Sequence, residues 1–250
     1  REKLQKVKAI RLFAEQQLLL PVKNSYSRYV DLHRSFVVLN LVASKPLSFT
    51  SKQWCYPIIG CQSYRGYFKP ELAKAAKAEL EQQGWETWLG GVSAYSTLGW
   101  FEDPILNTFL SRDEASLAAL IFHELSHHIV YVKGDTTFNE SFATAVELEG
   151  LKQWLAQQNS PEEMTKFIAN YETRKEFIAL VTQSIGKLKT LYTSTQTEEQ
   201  KRQQKLKLIE QLRSEYHLAA QNRPGLKAYS HWFSSPINNA KLLTVASYFQ

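Results

Sequence analysis

Three of the six histidines in this 250-residue chain lie within six residues, in the stretch IFHELSHHIVYVKGDTTFNESFATAVELEG from Ile121 to Gly150. His123, Glu124 and His127 form the pattern H-E-x-x-H. Residues four apart share one face of a helix, so both imidazoles can bind one Zn²⁺. Glu124, the next residue along, can take a proton from a water molecule at the metal. The pattern predicts a hydrolytic zinc site with His123 and His127 as ligands and Glu124 as the catalytic base.

A catalytic zinc site needs a third protein ligand and one open position. A helix that ends near Lys133, a turn at residues 134–135 and an antiparallel return would bring Glu140 back beside the histidines. Alternatively, residues 137–140 match a capping box, in which Glu140 would serve the start of its own helix. Glu147, two turns further on, is either an alternative ligand or an acceptor for a histidine N–H.

The motif lies where the sequence already predicts a helix, from Ser111 to Val130. The apolar face of this helix would anchor it in the core through Leu117, Leu120, Ile121, Leu125 and Ile129. His128 points about 100° away from His127 on a helix, so we expect it at the rim of the site or behind the ligands. A chance H-E-x-x-H is expected at roughly the 1% level in such a chain, which makes chance a weak alternative.

The remaining elements predict an α+β fold that is mostly helical. Helical periodicity marks residues 2–19, 70–84, 137–157, 161–192 and 197–221. The last two of these segments are predicted to form a long antiparallel helical pair. The segments SFVVLNLVAS, WCYPIIG and SYRGYF predict a small N-terminal sheet.

The segment GGVSAYSTLG predicts a bent edge strand that precedes the H-E-x-x-H helix. Its glycines would let a peptide substrate add to the sheet as a further strand, or they mark a bulge in a buried strand. Because there is no internal repeat or linker, we expect one domain, residues 1–250. It would consist of a helix and sheet part (1–110), the metal-site helices (111–158) and a helical part (159–250).

Charge and hydropathy narrow the range of partners. The net charge of +6 and the pI near 9.1 suit an anionic surface or substrate without requiring nucleic acid. No apolar run is long enough to cross a bilayer. The chain begins at Arg1 without a signal peptide, and we expect it to be a product from which a targeting segment was removed. A basic cluster near the junction of the last two long helices predicts a solvated face rather than contact with an anionic partner; it consists of Lys187, Lys189, Lys201, Arg202, Lys205 and Lys207.

Cys55 and Cys61 are the only cysteines in the chain. Two cysteines are too few for a zinc knuckle. Their spacing, with a proline and a glycine between them, suits a disulfide across a tight turn or two unpaired thiols in the core.

Several sequence blocks resemble a family of zinc aminopeptidases from Gram-negative bacteria, whose members are usually made as lipoproteins. Besides HELSHHIVYVKGDTTFNESFATAVELEG, the matching blocks are LPVKNSYSRYVDLHRSFVVLNLVAS, WCYPIIGCQSYRGYF, GGVSAYSTLGWFEDPILNTFL and PINNAKLLTVASY. They cover most of residues 9–155 and the C-terminus. The joint occurrence of these blocks is highly specific.

The resemblance implies a zincin-like fold and a gluzincin site. It places zinc on His123 and His127, makes Glu124 catalytic, and supports Glu140 in NESFA as the third ligand. His128 stands where glutamine is more usual in the family. The resemblance also implies a periplasmic protein held to the membrane by an N-terminal lipidated cysteine that this chain does not contain. In that compartment a disulfide between the two cysteines is the expected state.

A peptidase also needs groups that bind the substrate. The candidate donors to the developing oxyanion are Tyr95, Tyr131, Tyr229 and His231. Glu102 and Asp103 are candidates for binding a substrate ammonium group, although Asp103 suits a turn or helix cap equally well. Asn238 and Asn239 are more consistent with the start of the final helix than with substrate binding.

These observations leave three functional hypotheses. The first is a zinc-dependent peptidase acting on peptides or proteins, in which aminopeptidase is favoured over endopeptidase only by the family resemblance. The second is a zinc-binding scaffold of the cell envelope with little turnover. The third is a helical interaction module that uses residues 161–221 and binds no metal. The sequence leaves the oligomeric state open.

Overall fold

A computed structural model describes residues 2–57, 60–92, 102–132 and 135–248 of the chain. The helices are α1 (Glu2–Gln16), α2 (Pro70–Gln82), α3 (Asn107–Leu110), α4 (Glu114–Ser126), α5 (Thr136–Gln157), α6 (Pro161–Thr193), α7 (Glu198–Asn222), α8 (Ser230–Ser234) and α9 (Asn239–Tyr248), with a 3₁₀ helix over Pro224–Tyr229. The strands are β1 (Tyr29–Val30), β2 (Val38–Ser44), β3 (Trp54–Tyr56), β4 (Gly60–Gln62), β5 (Tyr64–Tyr67), β6 (Glu86–Val92) and β7 (Ile105–Leu106). The fold is α+β and 62% helical, which confirms the predicted class.

The chain forms two compact units. Unit 1 contains Arg1–Val37 and Gly91–Ile168, and unit 2 contains Val38–Gly90 and Ala169–Gln250. Each unit has a hydrophobic core of its own. The single peptidase domain expected from the sequence stays a prediction. In the described parts of both units, every helix is too short or too polar to reach from one face of a membrane to the other.

Helix α4 lies in the core of unit 1. It begins where the Asp113 side chain accepts a hydrogen bond from the Ser116 backbone N–H at 2.9 Å, a regular N-cap. Helices α1 and α5 pack against it. Its apolar face is buried as predicted at Leu117, Ile121 and Leu125, which fixes the direction in which the polar face of the helix points.

Helix α4 is shorter than the sequence predicts: it ends at Ser126, whereas the predicted helix extends to Val130. His127 caps it in a right-handed conformation, and the chain then leaves the helical path. The next residues, Ile129 to Val132, include three β-branched side chains, which lower helix propensity. Ile129 is 48% exposed, so its predicted place in the core is wrong.

The contact between α4 and α5 depends on a glycine. A Cβ atom added to Gly150 of α5 would lie 2.8 Å from Leu18 Cδ1 and 2.9 Å from Phe122 Cδ2. These distances are shorter than carbon atoms tolerate. Gly150 therefore permits the close approach of α5 to Phe122, the residue that precedes His123 in α4.

A short parallel pair completes unit 1. Strand β1 pairs with β7, with Tyr29 opposite Ile105 and Val30 opposite Leu106. The backbone N–H of Tyr26 donates to the Asp103 carbonyl oxygen at 2.6 Å, and the Asp103 N–H donates to Ser25 Oγ at 3.3 Å. These bonds fix the segment before β1 against the segment before β7.

Strands β5, β2 and β6 form a three-stranded sheet in this order, and among the described residues β6 is an edge strand, as expected for the start of GGVSAYSTLG. Residues 93–101, which hold the rest of that segment, lie outside the described residues. Helices α2 and α9 pack against β2. Strands β3 and β4 form a hairpin in which Cys55 lies opposite Cys61, and the two form a disulfide.

The basic cluster is not the uniformly solvated face that its composition predicts. Lys205 is 6% exposed, and its ammonium group pairs with Glu86. Lys187 pairs with Glu215 at 2.8 Å, and the Lys201 ammonium donates to a backbone carbonyl oxygen at 2.8 Å. Sequence composition gave no sign that an acid from strand β6 would meet one of these lysines.

Candidate metal centre

His123 and His127 occupy one face of α4, as their spacing predicts. Their ring centroids lie 5.1 Å apart with an interplanar angle of 83°. The side chain of His127 is 8% exposed and that of His123 is 18% exposed. The core contacts of α4 therefore hold both rings at the edge of the protein interior, where a small ligand can reach them.

Glu140 approaches both histidines from α5. Its carboxylate oxygens lie 3.3 Å from His123 Nε2 and 3.8 Å from His127 Nε2. One potential ligand atom from each of the three residues lies within 4.8 Å of the other two. We call these residues, His123, His127 and Glu140, the ligand group.

Helix α5 starts at a different capping residue from the one that the sequence predicts. Asp135 is the N-cap of α5, and its side chain accepts a hydrogen bond from the Phe138 backbone N–H at 2.9 Å. The capping box over residues 137–140 is therefore wrong. With the cap two residues earlier than that box requires, Glu140 can turn toward α4 instead.

Glu147 takes the role of acceptor that the sequence left open. Its Oε2 lies 2.9 Å from His123 Nδ1, while His123 Nε2 faces Glu140. A carboxylate on Nδ1 fixes the orientation of a histidine ring and directs Nε2 toward a metal. The two glutamates, Glu140 and Glu147, lie two turns apart on the same face of α5.

Asn139 holds the connection between the two site helices. Its side chain accepts a hydrogen bond from the Val132 backbone N–H and donates one to the Val132 carbonyl oxygen, both at 2.8 Å. The residue is 3% exposed. Asn139 precedes Glu140 directly, so this pair of bonds fixes the start of α5 at the residue before the ligand.

Burial and neighbouring charges shift the pKa values in the site. Burial raises the pKa of Glu124 to about 7; His123 and His128 lower it, while Glu140 and Asp103 raise it. Burial disfavours the charged form of His123, but the hydrogen bonds that its ring donates to the Glu140 and Glu147 carboxylates outweigh burial and raise its pKa to about 10. Because the pKa of Glu124 lies near neutral pH, this carboxyl group is suited to take and release protons.

The pKa of His127 moves in the opposite direction. Burial lowers it first, and the charge of His123 lowers it further. His127 Nδ1 is buried and has no hydrogen-bond partner among the described residues. The ring is therefore favoured in its neutral form, the form that coordinates a metal.

The donor set fits zinc. Two imidazole nitrogens and one carboxylate oxygen converge from two rigid helices, which is the ligand combination of several hydrolytic zinc enzymes. Three protein ligands leave a fourth position for water or substrate.

Several ionisable groups interact electrostatically with Glu124 or with its neighbours, and the sequence did not predict these interactions. Asp103 is buried, and its Oδ2 lies 3.5 Å from His128 Nε2; both side chains are 4% exposed. Tyr26 is also buried, and after burial itself the charges of Glu124 and Asp103 raise its pKa. Burial lowers the pKa of Arg112, whereas Asp113, Glu124 and Glu147 raise it. The sequence feature that could have indicated His128 as a neighbour of Glu124 was their four-residue spacing.

The remaining predicted site residues have other surroundings. Tyr95 lies outside the described residues, and Tyr131 is 54% exposed. Glu102 accepts a hydrogen bond from the Asn24 side chain at 2.7 Å.

The other four candidate residues belong to unit 2. Asn239 is the first residue of α9, and Asn238 Oδ1 accepts a hydrogen bond from the Lys241 backbone N–H at 2.9 Å, which confirms that these asparagines start the final helix. Tyr229 and His231 stay untested as oxyanion donors.

Comparison with known proteins gives one family match. A search of curated proteins gives no match, and a search of solved structures gives none either. The family described as "Putative aminopeptidase" matches residues 1–250. The chain therefore belongs to this aminopeptidase family.

Proposed function

We propose that the protein is a zinc-dependent aminopeptidase with a gluzincin-type site on a zincin-like fold. The observation that carries the proposal is the ligand group, in which His123, His127 and Glu140 bring their ligand atoms within 4.8 Å of one another. The match to an aminopeptidase family over the whole chain supports peptide hydrolysis as the reaction.

Each residue of the site has a separate role in this proposal. His123, His127 and Glu140 hold the metal, and Glu147 orients the ring of His123 through Nδ1. Zinc held by these residues would polarise the peptide carbonyl and would lower the pKa of an attacking water molecule. The Glu124 carboxylate accepts the proton of that water and passes it to the nitrogen of the leaving amine. The raised pKa of Glu124 suits both transfers.

The disulfide supports the proposed location. Disulfides persist in oxidising compartments, and Cys55 and Cys61 are paired in the hairpin of β3 and β4. We propose that the protein works in the bacterial periplasm on peptide or protein substrates. Attachment to the membrane by a lipid anchor belongs to the same proposal and rests on the family resemblance.

Metal analysis of the purified protein tests the ligand group. We expect one zinc per chain in the wild type and a loss of zinc in Glu140→Ala. Glu149→Ala is the matched control, because Glu149 lies on the same helix but is exposed. Equal zinc content in wild type and Glu140→Ala would reject Glu140 as a ligand, and a folded wild type without zinc after incubation with zinc would reject the metal site.

A substrate comparison tests the type of peptidase. We expect the zinc-loaded protein to cleave peptides with a free N-terminus and to leave the same peptides intact after N-terminal acetylation. Cleavage of both forms at internal bonds would identify an endopeptidase instead. A zinc-loaded protein that cleaves neither form would favour a zinc-binding scaffold.

A further inference from the structure

Two lysines lie side by side in unit 2, where the chain turns back after β2. The Lys45 backbone N–H donates to the Thr50 carbonyl oxygen at 3.1 Å. Two residues further along each arm of the turn, the Lys52 N–H donates to the Ala43 carbonyl oxygen at 2.9 Å. In this antiparallel register, Lys45 and Lys52 are diagonal neighbours on one face, close enough for long side chains to meet.

The indole ring of Trp85 contacts both ammonium groups. The Lys45 Nζ atom is 3.9 Å from the centroid of this ring, and the Lys52 Nζ atom is 5.4 Å from it. Lys52 Nζ also lies 6.0 Å from the centroid of the Trp54 ring. An aromatic face attracts a cation through its quadrupole and carries no net charge of its own. One ring therefore holds two positive charges together and neutralises neither.

Other lysines of unit 2 are neutralised by carboxylates. Lys187 pairs with Glu215 at 2.8 Å, and Lys77 pairs with Glu81. In the part of the chain that the structure describes, no carboxylate forms an ion pair with Lys45, and the ammonium group of its neighbour likewise contacts only aromatic rings. Like charges on neighbouring strands repel each other. An anion bound between the two ammonium groups would remove this repulsion.

The turn that carries Lys45 is held from its buried side. Glu86, the residue after Trp85, pairs with Lys205 and accepts from the Asn239 backbone N–H at 2.7 Å, so it serves the interior. The Asn239 side chain donates to the Lys45 carbonyl oxygen at 2.9 Å. Asn239 is completely buried. The lysines therefore project from a fixed backbone, and a fixed site loses less conformational entropy when it binds a ligand.

We propose that Lys45 and Lys52, held against Trp85, form a binding site for a phosphate group on the surface of unit 2. A phosphate monoester or a free phosphate ion carries between one and two negative charges at neutral pH, which matches two ammonium groups better than one carboxylate does. Lys45 is exposed and Lys52 is half-buried, so a ligand can reach both. The site shares no residue with the ligand group and does not depend on the proposed peptidase activity.

Titration with inorganic phosphate tests the site. In calorimetry at an ionic strength kept constant with chloride, we expect saturable binding to the wild type, and phosphate should also raise its unfolding temperature. Lys45→Met and Lys52→Met each remove one charge but keep an unbranched side chain, and we expect each to weaken binding by about 10-fold. Lys74→Met is the matched control, because Lys74 is an exposed lysine of the same unit at the far end of α2. It changes the net charge equally and should bind phosphate like the wild type.

Substitution of the indole separates a built site from general attraction by charge. Trp85→Leu keeps both lysines but removes the ring that holds them, and we expect phosphate binding to weaken by about 3- to 10-fold. Trp85→Phe keeps an aromatic face and should recover part of this loss. Circular dichroism checks that both variants fold. If Trp85→Leu does not fold, the comparison of the lysine variants decides the question.

Vesicles distinguish the two sources of a phosphate group. Phosphatidylcholine vesicles that contain phosphatidic acid present a phosphate monoester, and vesicles of phosphatidylcholine alone are the control. Sedimentation of the wild type with the first kind only, lost in Lys52→Met, would support the site and identify a lipid headgroup as its ligand. Binding of inorganic phosphate without sedimentation would support the site and identify the free ion. Binding of neither probe, or equal binding by the wild type, Lys52→Met and Lys74→Met, would overturn the proposal.

Discussion

Two buried polar clusters, one in each unit, differ in how completely they satisfy their own charges. In unit 2, the Lys205 ammonium pairs with Glu86 and donates to the Pro46 carbonyl oxygen at 2.7 Å. The second oxygen of Glu86 accepts from the Asn239 backbone N–H at 2.7 Å, and Tyr192 donates to the Asn239 side chain at 2.8 Å. We call this the Lys205 cluster.

The ligand group of unit 1 is organised differently. One carboxylate faces two imidazole nitrogens, and a second carboxylate fixes one ring from behind. The distances of 3.3 and 3.8 Å from Glu140 to the two Nε2 atoms leave space for an ion between them. Burial and charge move the pKa values of the two histidines in opposite directions.

The difference separates a structural cluster from a binding site. In the Lys205 cluster each charge meets an opposite charge or a hydrogen-bond partner within the protein, so the cluster stabilises the fold without help. The ligand group brings together three groups with lone pairs that could hold one metal ion. Buried charge alone does not identify a functional site; the arrangement of donors and acceptors does.

The largest expected effect lies in the catalytic step. Glu124→Gln keeps the size of the side chain but removes the base, and we expect kcat to fall by roughly 10²- to 10⁴-fold. Zinc content should stay at the wild-type level, because Glu124 is not in the ligand group. Steady-state kinetics and metal analysis on the same preparation check this, and a variant with normal kcat would remove Glu124 from the mechanism.

The Lys205 cluster should respond through stability alone. Lys205→Met leaves Glu86 buried without its cation, and we expect the free energy of unfolding to fall by about 3–5 kcal/mol. Lys207→Met is the control, because Lys207 is an exposed neighbour on α7 and should change stability by less than about 0.5 kcal/mol. Denaturant unfolding gives both values. Equal stability of the two variants would contradict the structural role of the cluster.

A smaller effect, on zinc affinity, is expected from Glu147, which contacts His123 but is not in the ligand group. Glu147→Gln weakens the hold on His123 Nδ1, and we expect zinc affinity to fall by about 10- to 100-fold. Competition with a chelator measures this affinity. Unfolding measurements with and without zinc should show the same loss as a smaller stabilisation by the metal. An unchanged zinc affinity would mean that Glu147 does not support the metal site.

The smallest effects compare two helical glycines, one in each unit. Alanine is the better helix former by about 1 kcal/mol, so Gly186→Ala in α6 should stabilise the protein, since nothing lies within 4 Å of the added atom. Gly150→Ala should instead destabilise it by about 1 kcal/mol, because the added atom meets Leu18 and Phe122. Thermal unfolding of both variants distinguishes them, and stabilisation by Gly150→Ala would refute the close contact between α4 and α5.

Periodicity in the sequence predicted the parts of the fold that repeat regularly. The long helices α5, α6 and α7 begin and end within one residue of their predicted limits, because each is a long helix-forming run that starts at a capping residue or a proline. The end of α4 was missed although three β-branched residues between Ile129 and Val132 disfavour a helix there. The connection that follows is held by Asn139, which binds Val132 from seven positions later in the chain. Local pattern does not register such a contact.

In the candidate site, too, residues that follow a regular local spacing were predicted, and residues brought in from distant parts of the chain were not. His123 and His127 were found from spacing on one helix, and Glu140 from the expectation of a helical return. Asp103 was expected to bind a substrate ammonium group or to serve a turn or helix cap, and Tyr26 was not assigned. Their actual positions were not predicted, because both lie beside the pairing of β1 with β7, two strands of only two residues each. Lys205 was placed on the surface because its partner Glu86 lies far away in the sequence. Side chains that only the tertiary structure brings together have no regular spacing in the sequence by which they could be recognised.

All three members of the ligand group lie within residues 123–140, on two consecutive helices. Contacts between residues close in sequence form early in folding, because closing a loop of about ten residues takes roughly 10–100 ns and costs little chain entropy. We therefore expect the α4–α5 hairpin to bring its ligand atoms together before the more distant pairing of β1 with β7 is complete. The order of assembly would then be the ligand group first and the pairing of β1 with β7, which fixes the segment of Asp103, last.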